Sequence, residues 1–194
     1  GDGPAMIFDI GGGSTELVLV ETRAGEVPMI NNWHSVPWGV VSLTETCGTE
    51  PPDDAGRTAR YAKMRELVRD SLAPFADRAA ESLIKNPTAH PLRLLGTSGT
   101  VTTLASLHLE LPQYDRQAVD GLIVVTEQMR SLCRNLALMS QPDRRAQPCI
   151  GRERADLVVA GCAILETIFD LWPATRLGVA DRGIREGILR SLIA

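Results

Sequence analysis

The sequence predicts an α/β fold: a mixed sheet whose three N-terminal strands run antiparallel and join later parallel strands, with helices on both faces. Three observations predict it. Two β-rich runs, AMIFDI at 5–10 and TELVLVE at 15–21, flank a glycine loop, and a third extended stretch at 27–37 follows the turn TRAG. Apolar residues then recur three or four apart over some thirty positions, the signature of a long helix. Finally, a strand, tight turn, helix pattern occurs at LRLLGTSGTVTTLASL and again at TRLGVADRGIREGIL.

Element by element, the first three runs read as an antiparallel meander. The long helix spans about 54–82, where Tyr61, Met64, Val68, Leu72 or Phe75, and Ala79 share one face, and Pro74 predicts a kink. A short apolar strand at 92–95, a Gly/Ser/Thr turn and a buried helix follow. DGLIVV at 120–125 reads as a strand, and Thr126 with Glu127 starts a helix that runs to about Met139. SQPDRRAQPCIG reads as a loop. A helix over about 153–171 carries Ala160, Gly161 and Ala163, small enough for close packing; a last strand at TRLGVA and a helix at DRGIREGILRSLI complete the pattern.

Composition narrows the function classes. The chain has 194 residues, 44% apolar and 23% charged, so it is long enough to bury a core. No apolar run approaches the roughly 20 residues of a membrane span, and the opening GDGPA lacks the basic stretch followed by an apolar one that a signal peptide requires, so none is expected. A net charge of −4 argues against generic nucleic-acid binding, so an anion site must be built from local basic residues and backbone amides. Cys47, Cys133, Cys149 and Cys162 form no CxxC pair, and His34, His90 and His108 are dispersed; a reduced, cytoplasmic setting is expected rather than a zinc site or disulfide framework.

The chemistry concentrates in two glycine-rich turns. In DIGGGSTE the glycines Gly11, Gly12 and Gly13 let backbone amides converge without side chains in the way, a nest for phosphate oxygens, and Ser14 and Thr15 add hydroxyls. Asp9 closes the first strand and Glu16 opens the second, so a hairpin brings both carboxylates to one side, where a hard cation prefers oxygen ligands. The loop joins two strands, unlike the strand-to-helix loops of dinucleotide or Walker sites. The second turn, Gly96, Thr97, Ser98, Gly99 and Thr100, opens a helix whose N-terminus attracts anions, although a plain cap by Ser98 or Thr100 explains it as well. A phosphate chain would need both turns to face one cleft.

DIGGGSTELV, LLGTSGTVTTLA, RERADLVVAGCAILETI and DRGIREGIL, in this order, resemble the exopolyphosphatase and guanosine pentaphosphate phosphohydrolase (Ppx/GppA) family of the actin, sugar kinase and heat-shock ATPase superfold. The resemblance implies that residues 1–194 form a single ribonuclease-H-like domain, the C-terminal half of a two-domain phosphatase with its active site in the interdomain cleft. It implies Mg²⁺ held by Asp9 and Glu16 as catalytic carboxylates, a phosphate loop at Gly11–Ser14, and Arg154 on the phosphate chain, where an ion pair with Glu153 or Asp156 is the alternative. It further implies polyphosphate or guanosine pentaphosphate as substrate, and an N-terminal domain supplying a catalytic glutamate and a phosphate loop of its own, so this half alone is expected to be inactive. A second copy of the chain is a further expected partner. Two other readings stay open: a phosphate-chain or nucleotide-binding module without turnover, and a small-molecule kinase of the same superfold.

Other features carry blander expectations. Arg57, Arg60, Lys63, Arg65 and Arg69 line one face of the long helix and could guide a polyanion, but such faces are usually solvated, and Glu66 and Asp70 interrupt this one. Trp33, Trp38 and Trp172 are expected to pack in the core.

Overall fold

A computed structural model describes residues 2–151 and 154–181. The meander forms as expected: β1 (Gly3–Ile10) pairs antiparallel with β2 (Thr15–Thr22), and β2 with β3 (Met29–Val36). Alternation decides what each strand buries. Met6, Phe8, Leu17 and Leu19 have no exposed surface, while Ile7 and Val18, one residue over, are half-buried.

After α1 (Val40–Cys47) comes α2 (Asp54–Lys85), capped by the Asp53 carboxylate on the Gly56 amide at 2.8 Å. It runs three residues beyond the expected end and is one continuous helix through Pro74, because its buried face, Tyr61, Met64, Val68, Leu72, Phe75 and Ala79, continues on both sides of the proline. β4 (Arg93–Thr97) lies parallel to β1 and leads into α3 (Gly99–His108). Beyond α4 (Arg116–Val119), β5 (Ile123–Val125) and α5 (Thr126–Leu138), a short α6 (Gln141–Arg145) precedes α7 (Leu157–Leu171) and β6 (Arg176–Ala180). The sheet order is β3-β2-β1-β4-β6-β5, with β4 and β6 parallel and β5 antiparallel at one edge. The expected mixed sheet is therefore present, surrounded by helices.

Several local expectations need correction. The strand expected at 120–125 is only three residues long, because Gly121 turns at φ +84° and donates to Val179 O. The expected loop after Met139 contains α6, whose Arg144 is fully buried: its guanidinium donates to Ala155 O at 2.8 Å, to Met139 O and to Glu50. Trp172 lies in the core, edge-on to Phe75 at 5.7 Å, but Trp33 is 69% exposed, because β3 is an edge strand and position 33 points away from its buried face. The helix expected from Asp181 onward lies outside the described residues, and so do Arg152 and Glu153.

The basic stripe of α2 is consumed by the fold. Arg65 and Arg69 reach Asp170 of α7 at 2.6 and 2.8 Å, and Arg130 of α5 joins them at 2.8 Å. Arg57 donates to Pro52 O and Leu138 O, Arg60 to Gly48 O, and Lys63 pairs with Glu66. Behind this cluster Glu166 is fully buried, accepting from the Tyr61 hydroxyl at 2.5 Å and from Arg134 at 3.2 Å. Burial, together with the neighbouring thiols and Glu166, pushes the Tyr61 phenol far above its ordinary pKa, so it stays a donor. Among the described residues no helix is long and apolar enough to cross a membrane.

Candidate functional site

The C-terminal ends of β1 and β4 open into a cleft of about 870 Å³. Its walls are Asp9 to Ser14, Glu16, Val40, Ser98, Gly99, Thr100, Thr103, Arg154, Leu157 and Val158. Both glycine-rich turns thus face one cavity, as a ligand spanning them requires.

Register explains the carboxylates. Asp9 on β1 lies directly across from Glu16 on β2, and Glu16 across from Ser35 on β3, so all three side chains share one side of the sheet at its upper edge. Two hydroxyls fix the second carboxylate: Ser14 donates to Glu16 Oε1 at 2.6 Å and Ser35 to the same oxygen at 3.1 Å. Ser35 drew no attention in the sequence, although cross-strand pairing of a 15–21 and a 27–37 strand puts it within reach.

The glycine loop is held from below by α1. Val40 N donates to Gly11 O at 2.9 Å, Val41 N to Gly12 O at 2.8 Å and Ser42 N to Gly12 O at 3.3 Å. The Ser42 hydroxyl lies 3.2 Å from Gly13 O. In a planar trans peptide the N–H of each residue points opposite to the preceding carbonyl. With the Gly11, Gly12 and Gly13 carbonyls turned toward α1, the Gly12, Gly13 and Ser14 amides turn the other way. Among the described residues these three amides donate to no backbone or side-chain acceptor, whereas Gly11 N closes the turn on Ser14 O at 2.9 Å.

None of the three glycines has positive φ; a Cβ would be tight at Gly11, would make only ordinary contact at Gly12 and would meet open space at Gly13. A methyl on Gly11 would stand 3.0 Å from Ser14 O, and one on Gly39 would collide with Gly12 C and O at 2.4 Å. Thr15, expected to add a hydroxyl to the site, is instead buried and donates to Trp38 O at 2.7 Å, tying the loop's exit to the chain entering α1.

In the second turn, Ser98, Gly99 and Thr100 reach the cleft, and Gly96 and Thr97 do not. Gly96 packs against Phe8 and Val101, where a Cβ would come within 2.8 and 2.9 Å, and Thr97 is buried with its hydroxyl 3.4 Å from Phe8 O. Ser98 caps α3 through Val101 N at 3.3 Å and does so at φ +138°, ψ 163°, a region that side chains rarely occupy. Such strain gathers at ligand sites. α7 approaches this turn closely because Gly161 abuts Thr100, where a Cβ would meet the side chain at 2.5 Å, as the small residues of α7 suggest.

Arg154 lies at the mouth of the cleft. Among the described residues it donates to the Thr103 hydroxyl at 3.4 Å and pairs with no carboxylate; Asp156, its expected alternative partner, is held by Gln141 and lies 4.0 Å from Arg145. A Cβ on Gly99 would lie 3.9 Å from Arg154 Nη1, so this guanidinium stands beside the positive end of α3. Buried Arg144, bound to Ala155 O, holds the segment that presents it. No group of three or more His, Cys, Asp or Glu that could hold a metal occurs among the described residues. Two carboxylates with a phosphate as further ligand still match Mg²⁺, which binds through one or two carboxylates and keeps several waters.

Comparison with known proteins gives a consistent picture. The model of the Ppx/GppA phosphatase family matches residues 1–194. The chain is 29% identical over 194 residues to "Exopolyphosphatase 2" of Mycobacterium tuberculosis, covering 97% of this chain and 56% of that protein. It is 26% identical to a "Guanosine-5'-triphosphate,3'-diphosphate pyrophosphatase" of Aeromonas salmonicida, over 100% of this chain and 34% of that one. A crystal structure of the Aquifex aeolicus Ppx/GppA family member superposes with a TM-score of 0.77 at 26% identity, over 100% of this chain and 57% of the other. The chain spans about half the length of the curated exopolyphosphatases it matches. The actin-like ATPase fold of these neighbours is the expected one.

Proposed function

The chain belongs to the Ppx/GppA phosphatase family, and from that premise we propose that it is the C-terminal half of a Mg²⁺-dependent phosphohydrolase removing the terminal phosphate of inorganic polyphosphate or guanosine pentaphosphate. The observation that carries this reading is the meeting, in one cleft, of three loop amides that have no acceptor among the described residues, the Asp9 and Glu16 pair, the start of α3 and Arg154.

The roles follow from charge. Phosphoryl transfer spreads negative charge over the equatorial oxygens and asks the protein to neutralise it and to place a water. The Gly12, Gly13 and Ser14 amides bind phosphoryl oxygens, and Arg154 with the N-terminus of α3 holds the following phosphates. Asp9 and Glu16 would hold Mg²⁺, which when bound offsets the charge of the transferring group. The serine hydroxyls on Glu16 keep that carboxylate oriented whether or not the cation is present. We place the water-activating base outside residues 1–194, as the family resemblance implies, so this chain is expected to bind phosphate chains and turn them over little.

The test is phosphate release from polyphosphate and from guanosine pentaphosphate, with and without Mg²⁺, by residues 1–194 and by a protein of the relatives' full length. Release by the longer protein alone, and only with Mg²⁺, is expected. Full activity from residues 1–194, or equal activity in a chelator, would contradict the reading.

A further inference from the structure

We propose that the first turn of α1, through Gly39 and Ser42, is a positioning device that points the glycine loop at the phosphate and relays the helix dipole to it. The inference rests on the phosphate-site reading above and adds residues to it that lie outside the loop itself.

An α-helix leaves its first amide groups without intrahelical partners, and these carry its partial positive charge. In α1 the Val40, Val41 and Ser42 amides are spent on Gly11 O and Gly12 O, so this helix end cannot grip an anion directly. Each captured carbonyl belongs to a peptide whose N–H faces the other way. The peptides Gly11–Gly12 and Gly12–Gly13 therefore stand in line with α1, carbonyl toward the helix and amide toward the cleft, and extend its dipole by one layer. Hydrogen bonds in series polarise one another, so the amides of Gly12 and Gly13 become stronger donors than free loop amides.

Ser42 completes the device. Its hydroxyl accepts from Gly39 N at 2.9 Å, and its proton has carbonyls of Gly13 at 3.2 Å, Pro37 at 3.3 Å and Gly39 at 3.3 Å to choose from. The bond to Gly13 O brings the third peptide, and with it the Ser14 amide, into the same orientation. Gly39 makes the approach possible. At φ −116° and ψ −178° its backbone suits any residue, so glycine is required there only because a Cβ would strike the Gly12 carbonyl. Neither residue touches the cleft; both act through the loop.

The experiment measures tripolyphosphate binding by isothermal titration, and thermal unfolding, for residues 1–194 carrying Ser42→Ala, Ser42→Thr or Gly39→Ala. Ser42→Ala is expected to weaken binding about tenfold, the scale of losing the Ser14 amide's hydrogen bond to a charged phosphate oxygen once its peptide is no longer held. Ser42→Thr, which keeps the hydroxyl, should restore affinity, and Gly39→Ala, which pushes the loop off the helix, should weaken binding more than Ser42→Ala. Because Gly39→Ala risks the fold, Ser42→Ala with its threonine rescue decides alone if that variant is insoluble. Wild-type affinity in folded Ser42→Ala overturns the inference, as does an equal loss in Ser42→Thr. A wild-type chain that binds no tripolyphosphate overturns the phosphate-site reading itself, and the inference falls with it.

Discussion

The cleft and the arginine stripe of α2 are both places where a polyanion could be held, and by count of positive charge among the described residues the stripe is the stronger. The structure ranks them the other way. On α2 the basic groups have protein acceptors: Asp170 takes Arg65 and Arg69, alongside Arg130 of α5, and main-chain carbonyls take Arg57 and Arg60. At the cleft, among the described residues, Arg154 has one long bond to a hydroxyl, and three loop amides have none. A donor already paired inside the protein gains little by exchanging partners, whereas an oriented, unpaired donor needs no reorganisation. Unused hydrogen-bonding capacity, more than charge, marks the site.

The largest effect that can break this comparison is catalytic. In a protein of the relatives' full length, Asp9→Ala and Glu16→Ala are each expected to lower kcat by about 10²- to 10³-fold with KM little changed, since both act chiefly on the transition state. Steady-state phosphate release measures this, and unchanged turnover would remove them from the mechanism. Next in size, Glu166→Ala in the buried network behind the stripe leaves the buried Tyr61 hydroxyl without its acceptor and Arg134 with Glu127 alone. It should cost about 2 kcal/mol in urea unfolding, the scale of one orphaned buried hydroxyl, and leave tripolyphosphate affinity as it is. A parallel loss of affinity would show that the two regions are coupled.

Smaller effects sharpen the contrast. Arg154→Ala should weaken tripolyphosphate binding about tenfold, while Arg69→Ala, which removes a charge already paired to Asp170, should leave it unchanged. Ser98→Gly relieves a residue at φ +138° and forgoes only a 3.3 Å cap bond, so it is expected to raise stability by about 1 kcal/mol, read as a Tm increase of about 2–4 °C.

The smallest effect is a pH dependence. Burial alone would raise the Asp170 carboxyl, but hydrogen bonds and charge from Arg130 and Arg65 outweigh it and hold the pKa below the ordinary 3.8. The unfolded chain therefore binds that proton more tightly, so the contribution to stability is complete above about pH 4 and is lost as the pH falls through the folded value. Asp170→Asn should lower stability at neutral pH and flatten that acid limb.

Much of this was legible in the sequence because it is local. The meander shows in two alternating runs around a glycine loop, and the register that sets Asp9 against Glu16 follows from the short hairpin between them. What escaped is what depends on contacts across the chain. α1 is eight residues long with β-branched Val40, Val41, Thr44 and Thr46, a composition that argues for a strand, and it forms because loop carbonyls receive its first amides. Burial of Arg144 at 0% exposure is invisible in QPDRRA, since its acceptors come from residues 50, 136, 139 and 155. Thr15 and Ser14 are neighbours in a hydroxyl pair, and only strand alternation sends one into the core and leaves the other at the cleft.

The most direct test of the central claim is an ¹⁵N-resolved titration of residues 1–194 with tripolyphosphate, following backbone amides. The account predicts that the Gly12, Gly13 and Ser14 resonances move downfield, as amides do on gaining a charged acceptor, while those of Arg57 to Arg69 stay in place. Shifts confined to the α2 stripe, with the glycine loop unmoved, would contradict it.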